Sequence, residues 1–395
     1  MSPEPRRPAD AGVYRSAGGR RLRVVTLVSG VVVLAGVLAA GAWVWRAAGG
    51  PAGPEVAAGT EPSRSPAASP GPSRSPTPTV IEIGWVGDTT PGSKYGLPPD
   101  EGRAIFAQVR DELRAPDLMI ANLEGTYSVP GPSKCDGSDS GLCFAFQAPP
   151  PYVDALRWSG VDFVSLANNH SHDYLASGLQ QTETALKKVH IQYTGLPSQV
   201  TMRTVAGVRV AVVGFAPYSW TASLLDIPSA QDLVRRADSK ADVVVVLMHA
   251  GAEGADRTHT PAGTETAFGE NRGDPRAFSH AVVDAGADLV LGSGPHVIRG
   301  IERYKDRLIA YSLGNFAGWD NFGLSGNLRL SGLLTVRIDA KGHIKRGRWL
   351  SLRLVGPGVP VVDPTHRSAR LVRELSAADF PKTWPMAKDG TIAVP

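Results

Sequence analysis

The sequence has very little cysteine: Cys135 and Cys143 are the only two in 395 residues. No third soft ligand lies near them, which argues against a thiolate metal site. They flank the Gly/Ser/Asp-rich stretch DGSDSGL, and in an oxidising exterior such a pair is expected to close a loop as a disulfide. A basic patch is missing too. The chain carries a net +4, yet residues 1–46 alone hold seven arginines against Glu4 and Asp10. That local excess of five leaves the remainder at −1, with no basic stripe interleaved with aromatics, so nucleic-acid binding is excluded. There is no G-x-x-x-x-G-K-[ST] loop for phosphates. Ser293, in GSGPH, does not sit in a G-x-S-x-G elbow followed by a helix, so a serine hydrolase has little support. No internal repeat is present.

One long apolar run stands out, VVTLVSGVVVLAGVLAAGAWVW from Val24 to Trp45. At about 1.5 Å per residue it is long enough to cross a hydrocarbon core of about 30 Å. Six arginines precede it and Trp43 and Trp45 close it, which places the N-terminus in the cytoplasm and the rest outside. An uncleaved anchor is the preferred reading. Cleavage after the small residues at Ala40 to Ala42 is the alternative, and Arg20-Arg21 faintly resembles a twin-arginine signal. The expected organisation is a basic cytoplasmic tail over 1–23, a transmembrane anchor over 24–45 and a Pro/Ser/Ala-rich disordered spacer over 46–79. A folded domain over 80–357 follows, then a C-terminal tail over 358–395 with one helix at Ser368 to Leu375. With 42% hydrophobic residues and 20% charge the chain can bury a core.

From Val80 on, short β-branched runs end abruptly in polar residues. IEIGWVGD ends at Asp88, DLMIANLE at Glu124, VDFVSLANNH at Asn169 and His170, DVVVVLMH at His249, and DLVLGSGPH at His296. A sixth, RLIAYSLGN, ends at Asn315. Continuous Val/Ile/Leu runs read as parallel strands buried on both faces, and ligands of open α/β sheets sit beyond the carboxyl ends of such strands. Helical patterns alternate with them: Glu101 to Arg114, Pro151 to Ser159, Ser177 to Val189, Ala230 to Ala237 and Pro275 to Ala285. Strands are also expected at Val208 to Phe215 and Ser331 to Ile338. The fold class is therefore α/β. The Gly-rich segment Ala252 to Asp274 reads either as a lid or substrate loop or as a floppy insertion.

Each strand-end residue has a plainer reading, as helix cap, turn former or packed histidine. Their recurrence at one topological place favours a composite pocket instead. Carboxylate, amide oxygen and imidazole suit a divalent metal, Mn²⁺ in the first place with Zn²⁺ and Fe²⁺ as alternatives. Asp88, Glu124, Asn169, His249 and His296 form the candidate ligand set, with Glu124 the best placed bridge if two ions bind. His170 is the candidate proton donor to a leaving oxygen, oriented by Asp173. His172, His190, His259, His280 and His343 are read as surface or packing residues.

The ordered motifs GDTTPG (87–92), ANLEGTYS (121–128), ANNHSHDY (167–174), HAGAE (249–253), GSGPHVIRGIERY (292–304) and YSLGNF (311–316) resemble the CapA family. These are poly-γ-glutamate capsule biosynthesis proteins related to the calcineurin-like metallophosphoesterases. The resemblance implies a sandwich of mixed sheets flanked by helices, preceded by one transmembrane helix, with metal ligands on the loops after the strands. It implies that Asp88 stands for the first metal aspartate, that Glu124 replaces the bridging one, and that Asn169 and His170 match the Asn-His pair. The D-x-H histidine is absent, since Thr89 and Thr90 follow Asp88, and Ser293-Gly294 precede the Pro-His pair. One or two ions remain open. The implied partners are an anionic envelope polymer or its precursor and membrane-bound synthesis or export proteins. The role is either a metal-dependent hydrolase or a noncatalytic polymer-binding or scaffold subunit.

Overall fold

The protein is described from a computed structural model over residues 79–93, 96–138 and 143–395. The expected tail 1–23, anchor 24–45 and all of the spacer but Thr79 lie outside the described residues, among which no helix is long and apolar enough to cross a membrane.

The strands of the two large sheets are β1 (Val80–Thr89), β2 (Leu118–Leu123), β3 (Phe163–Ser165), β4 (Gln192–Thr194), β5 (Thr201–Val205), β6 (Val208–Phe215), β7 (Val243–His249), β8 (Leu289–Ser293), β9 (Ile301–Tyr304), β10 (Arg307–Ala310), β11 (Asn315–Ala317), β12 (Leu330–Asp339), β13 (Ile344–Val355), β14 (Val359–Val362) and β15 (Thr391–Ile392). Nine of them make one sheet in the order β14-β13-β12-β1-β2-β3-β4, with β11 pairing β1 and β15 pairing β13. Six make a second sheet, β9-β10-β8-β7-β6-β5. Pairing is parallel through β1-β2-β3-β4 and through β6-β7-β8-β10, and antiparallel toward the edges.

The sheets face each other. Ile81, Ile83 and Trp85 of β1 share a core with Val210 and Val212 of β6, Val243, Val245 and Leu247 of β7, and Leu291 of β8. Trp85 Nε1 donates across this layer to Gly292 O at 3.1 Å. Helices cover the outer faces. Leu186 of α1 (Leu175–Lys188) packs with Met119 and Val164. Leu233 and Val234 of α2 (Ile227–Asp238), with Phe278 and Val282 of α3 (Pro275–Asp284), pack on Val244, Val246 and Val290. Burial on both faces explains why β7 reads as an unbroken valine run. The α/β class read from the sequence is the one observed.

Two expectations are revised. The single helix over Glu101 to Arg114 is instead a 3₁₀ segment, Asp100–Ile105, kinked at left-handed Glu101 (φ 48) and Gly102 (φ 94), and a separate turn, Arg110–Leu113, entered through the non-helical Val109 (φ −129, ψ 10). The segment beyond residue 357 shares the nine-stranded sheet through β14 and β15, and its helix α4 (Arg367–Asp379) is longer than Ser368 to Leu375. Cys135 and Cys143 are disulfide-bonded.

Candidate metal centre

Parallel pairing brings the candidate side chains to one end of both sheets. Asp88 of β1 pairs in register with Asn122 of β2 and Asn315 of β11. His249, the last residue of β7, pairs with Ser293, the last of β8. Glu124 follows β2, its N–H donating to Thr89 O at 2.8 Å. His296 follows β8 at φ 59, a conformation uncommon for a non-glycine residue and one that clusters at functional sites. Gly87 permits the close approach of the chain before β11: a Cβ there would fall 2.0 Å from Gly314 O.

Asp88, Glu124, His249 and His296 are all buried. Asp88, Glu124 and His249 each offer a donor atom within 4.8 Å of the others. His296 ties the set together. Its Nδ1 lies 3.1 Å from Asp88 Oδ2 and 2.8 Å from Asn315 Oδ1, while its Nε2 lies 3.7 Å from Glu124 Oε1 and 3.6 Å from Glu253 Oε2. His249 Nε2 is also 3.7 Å from Glu124 Oε1. Neither oxygen of Glu124 receives a hydrogen bond, nor does Asp88 Oδ2. Buried carboxylate oxygens without donors are costly unless a cation satisfies them. The oxygen and imidazole donors gathered here fit a divalent metal ion.

The electrostatics follow the same crowding. Burial first, then the charge of Asp88, pushes Glu124 well above the usual carboxylate range. Burial opposes the charged form of His296, but the carboxylates of Glu124, Asp88 and Glu253 outweigh it and lift the group to about 10. A metal ion would displace that proton. His249 is driven well below its ordinary value by burial, then by Arg272 and His296.

Of the two adjacent asparagines, Asn168 is the scaffold. Its Nδ2 donates to Asn122 Oδ1 at 3.0 Å and Leu123 O at 2.8 Å, and its Oδ1 accepts from the N–H of His170 at 3.0 Å and of Ser171 at 2.8 Å. Asn169 has a buried Oδ1 without a hydrogen bond. His170 presents Nδ1 to Asp173 Oδ2 at 2.8 Å and packs 4.4 Å from the Phe146 ring. Burial lowers it to about 4, Asp173 opposing and Lys134 assisting. Nδ1 is thereby committed to Asp173, which leaves Nε2 as the ring nitrogen through which a proton could be exchanged.

Five residues of the centre were not assigned from the sequence. Asn122 donates to Asp88 Oδ1 at 2.8 Å, Lys134 contacts Asp173 at 2.6 Å, Asn315 holds His296, and Glu253 and Arg272 arrive from the 252–274 segment. Asn122, Asn315 and Glu253 lie inside the quoted motifs, Asn315 at the end of the sixth run; Arg272 lies in a loop without periodicity. That segment is anchored: Arg299 Nη1 and Nη2 meet Glu265 Oε1 and Oε2 at 2.7 and 2.8 Å.

Comparison with known proteins places residues 82–318 within the family described as bacterial capsule synthesis protein PGA_cap. The capsule biosynthesis protein CapA of Bacillus anthracis is 30% identical over 240 residues, covering 54% of this chain and 54% of that protein. The PGA biosynthesis protein CapA of Bacillus subtilis (strain 168) is 27% identical over 263 residues, 61% of this chain and 64% of that protein. The chain thus aligns to less than two thirds of the length of either relative. Among solved structures, a 5'-nucleotidase precursor from Thermus thermophilus overlaps 76% of this chain and 59% of its own at 16% identity, with a TM-score of 0.39.

Proposed function

This chain belongs to the bacterial capsule synthesis protein family PGA_cap, and on that premise we propose that it acts in the synthesis, export or attachment of poly-γ-glutamate or a similar anionic envelope polymer. The proposed route is a metal-dependent hydrolase-like site on a calcineurin-like metallophosphoesterase-type sandwich. The proposed setting is outside the cytoplasmic membrane, anchored through Val24 to Trp45, with membrane-bound synthesis or export proteins as partners.

One observation carries the metal reading: Glu124 is fully buried with no hydrogen bond on either oxygen, and two imidazole Nε2 atoms stand 3.7 Å from it. Asp88, Glu124, Asn169, His249 and His296 would hold the ion, with Mn²⁺ the first candidate. Once bound, a divalent cation supplies Lewis acidity and a more acidic water. Asn122 and Asn315 fix Asp88 and His296 by hydrogen bonds. Asp173 orients His170, which moves a proton at Nε2.

The test is hydrolysis of a phosphate monoester and of poly-γ-glutamate by the full chain with Mn²⁺ or Zn²⁺, beside His170→Ala. Turnover that falls on the order of 100-fold or more in the variant supports the hydrolase. Absence of turnover with every metal rejects it. The second reading, a noncatalytic polymer-binding or scaffold subunit, is favoured by one feature: Thr90 occupies the place of the D-x-H histidine. Polymer export restored by a Glu124→Ala chain would support that reading, and export lost would count against it.

A further inference from the structure

Three carboxylates are buried together at the strand ends: Asp88, Glu124 and Glu253, none more than 5% exposed. Taking that much negative charge out of water is costly unless cations accompany it. One cation belongs to the chain itself. Arg272 is 1% exposed; its Nη1 donates to Glu253 Oε1 at 2.7 Å and its Nη2 lies 3.2 Å from His249 Nε2. The backbone holds it there, with Arg272 N donating to Glu265 O at 2.9 Å and Gly251 N donating to Arg272 O at 3.0 Å. A side chain that ordinarily carries its charge to water is instead turned into the centre.

With both imidazoles neutral, as metal ligands must be, three carboxylates against one guanidinium leave two negative charges. That matches one divalent ion and would be exceeded by two. The lone pairs point the same way. Glu253 Oε1 accepts from Arg272, whereas Asp88 Oδ2 and both oxygens of Glu124 receive no hydrogen bond.

We infer that Arg272 is the built-in second cation of this centre, and that the chain takes a single divalent ion, held against Asp88 and Glu124. The guanidinium takes up Glu253 Oε1, a donor that a second ion would need, so the centre holds two cations, one built into the chain and one exchangeable. This rests on the metal reading proposed above.

The experiment is equilibrium dialysis of the full chain against Mn²⁺ and, separately, Zn²⁺, with bound metal counted per chain. Wild type should saturate at one equivalent, Arg272→Lys, which keeps the charge, at one, and Arg272→Ala at two. Two equivalents in wild type overturn the inference while leaving the metal centre standing. So does one equivalent in an Arg272→Ala chain whose circular dichroism matches wild type. If Arg272→Ala does not fold, Arg272→Met, which keeps the side-chain length, takes its place and must bind the second equivalent. No metal in any of these proteins removes both the metal reading and the inference.

Discussion

Lys134 Nζ lies 2.6 Å from Asp173 Oδ1, and the other oxygen of that carboxylate holds His170 Nδ1 at 2.8 Å. The ammonium and the carboxylate pull the imidazole in opposite directions. Lys134→Met removes a charge that opposes protonation and should move His170 up from about 4, whereas Asp173→Asn should move it further down. NMR titration of the His170 ring in the full chain reads both. Identical titrations in wild type and both variants would detach His170 from this pair.

Arg299 and Glu265 form a two-pronged buried pair, 1% and 7% exposed at the side chains. Removing one partner strands the other charge in the interior, so Arg299→Ala should destabilise the protein by about 3–5 kcal/mol. Urea unfolding followed by circular dichroism measures this. A change under about 0.5 kcal/mol, the scatter of ordinary surface substitutions, would show that the pair is not what anchors residues 252–274.

Asp339 is buried and accepts from Lys345 Nζ at 2.7 Å and from the N–H of Lys341 and His343 at 2.9 and 3.0 Å. Burial alone would raise it, but these bonds win and hold it below its ordinary value of 3.8. A depressed carboxylate contributes stability that is present in full above the unfolded value and fades as pH falls through the folded one. Asp339→Asn should therefore cost roughly 1–3 kcal/mol at neutral pH, with the difference from wild type shrinking below about pH 4. A difference that stays constant down to acid pH would refute the assignment.

What the chain revealed before folding followed its periodicity. Asp88, Glu124, His249 and His296 were legible because each stands at or just after the end of a buried strand, and parallel registers such as Ser293 beside His249 and Asp88 beside Asn122 then bring them together. Arg272 and Lys134 were not legible. Both sit in irregular segments whose path is set by long-range contacts, Glu265 and Gly251 for one and Asp173 for the other. Asn122 was hidden for a different cause: it lies inside an apolar run, where a polar residue reads as strand interior until the neighbouring strand shows Asp88. The Glu101 to Arg114 segment has a helical composition, which does not show the left-handed backbone at Glu101 and Gly102 or the non-helical Val109.

The central claim is that the buried, donorless carboxylate of Glu124 binds a divalent cation together with Asp88 and the two histidines. Isothermal titration of Mn²⁺ into the metal-stripped full chain, wild type beside the isosteric Glu124→Gln, tests it most directly. The account predicts saturable binding in wild type and a loss of affinity on the order of 10-fold or more in the variant. Equal affinity in the two, or no binding by a folded wild type, would contradict it.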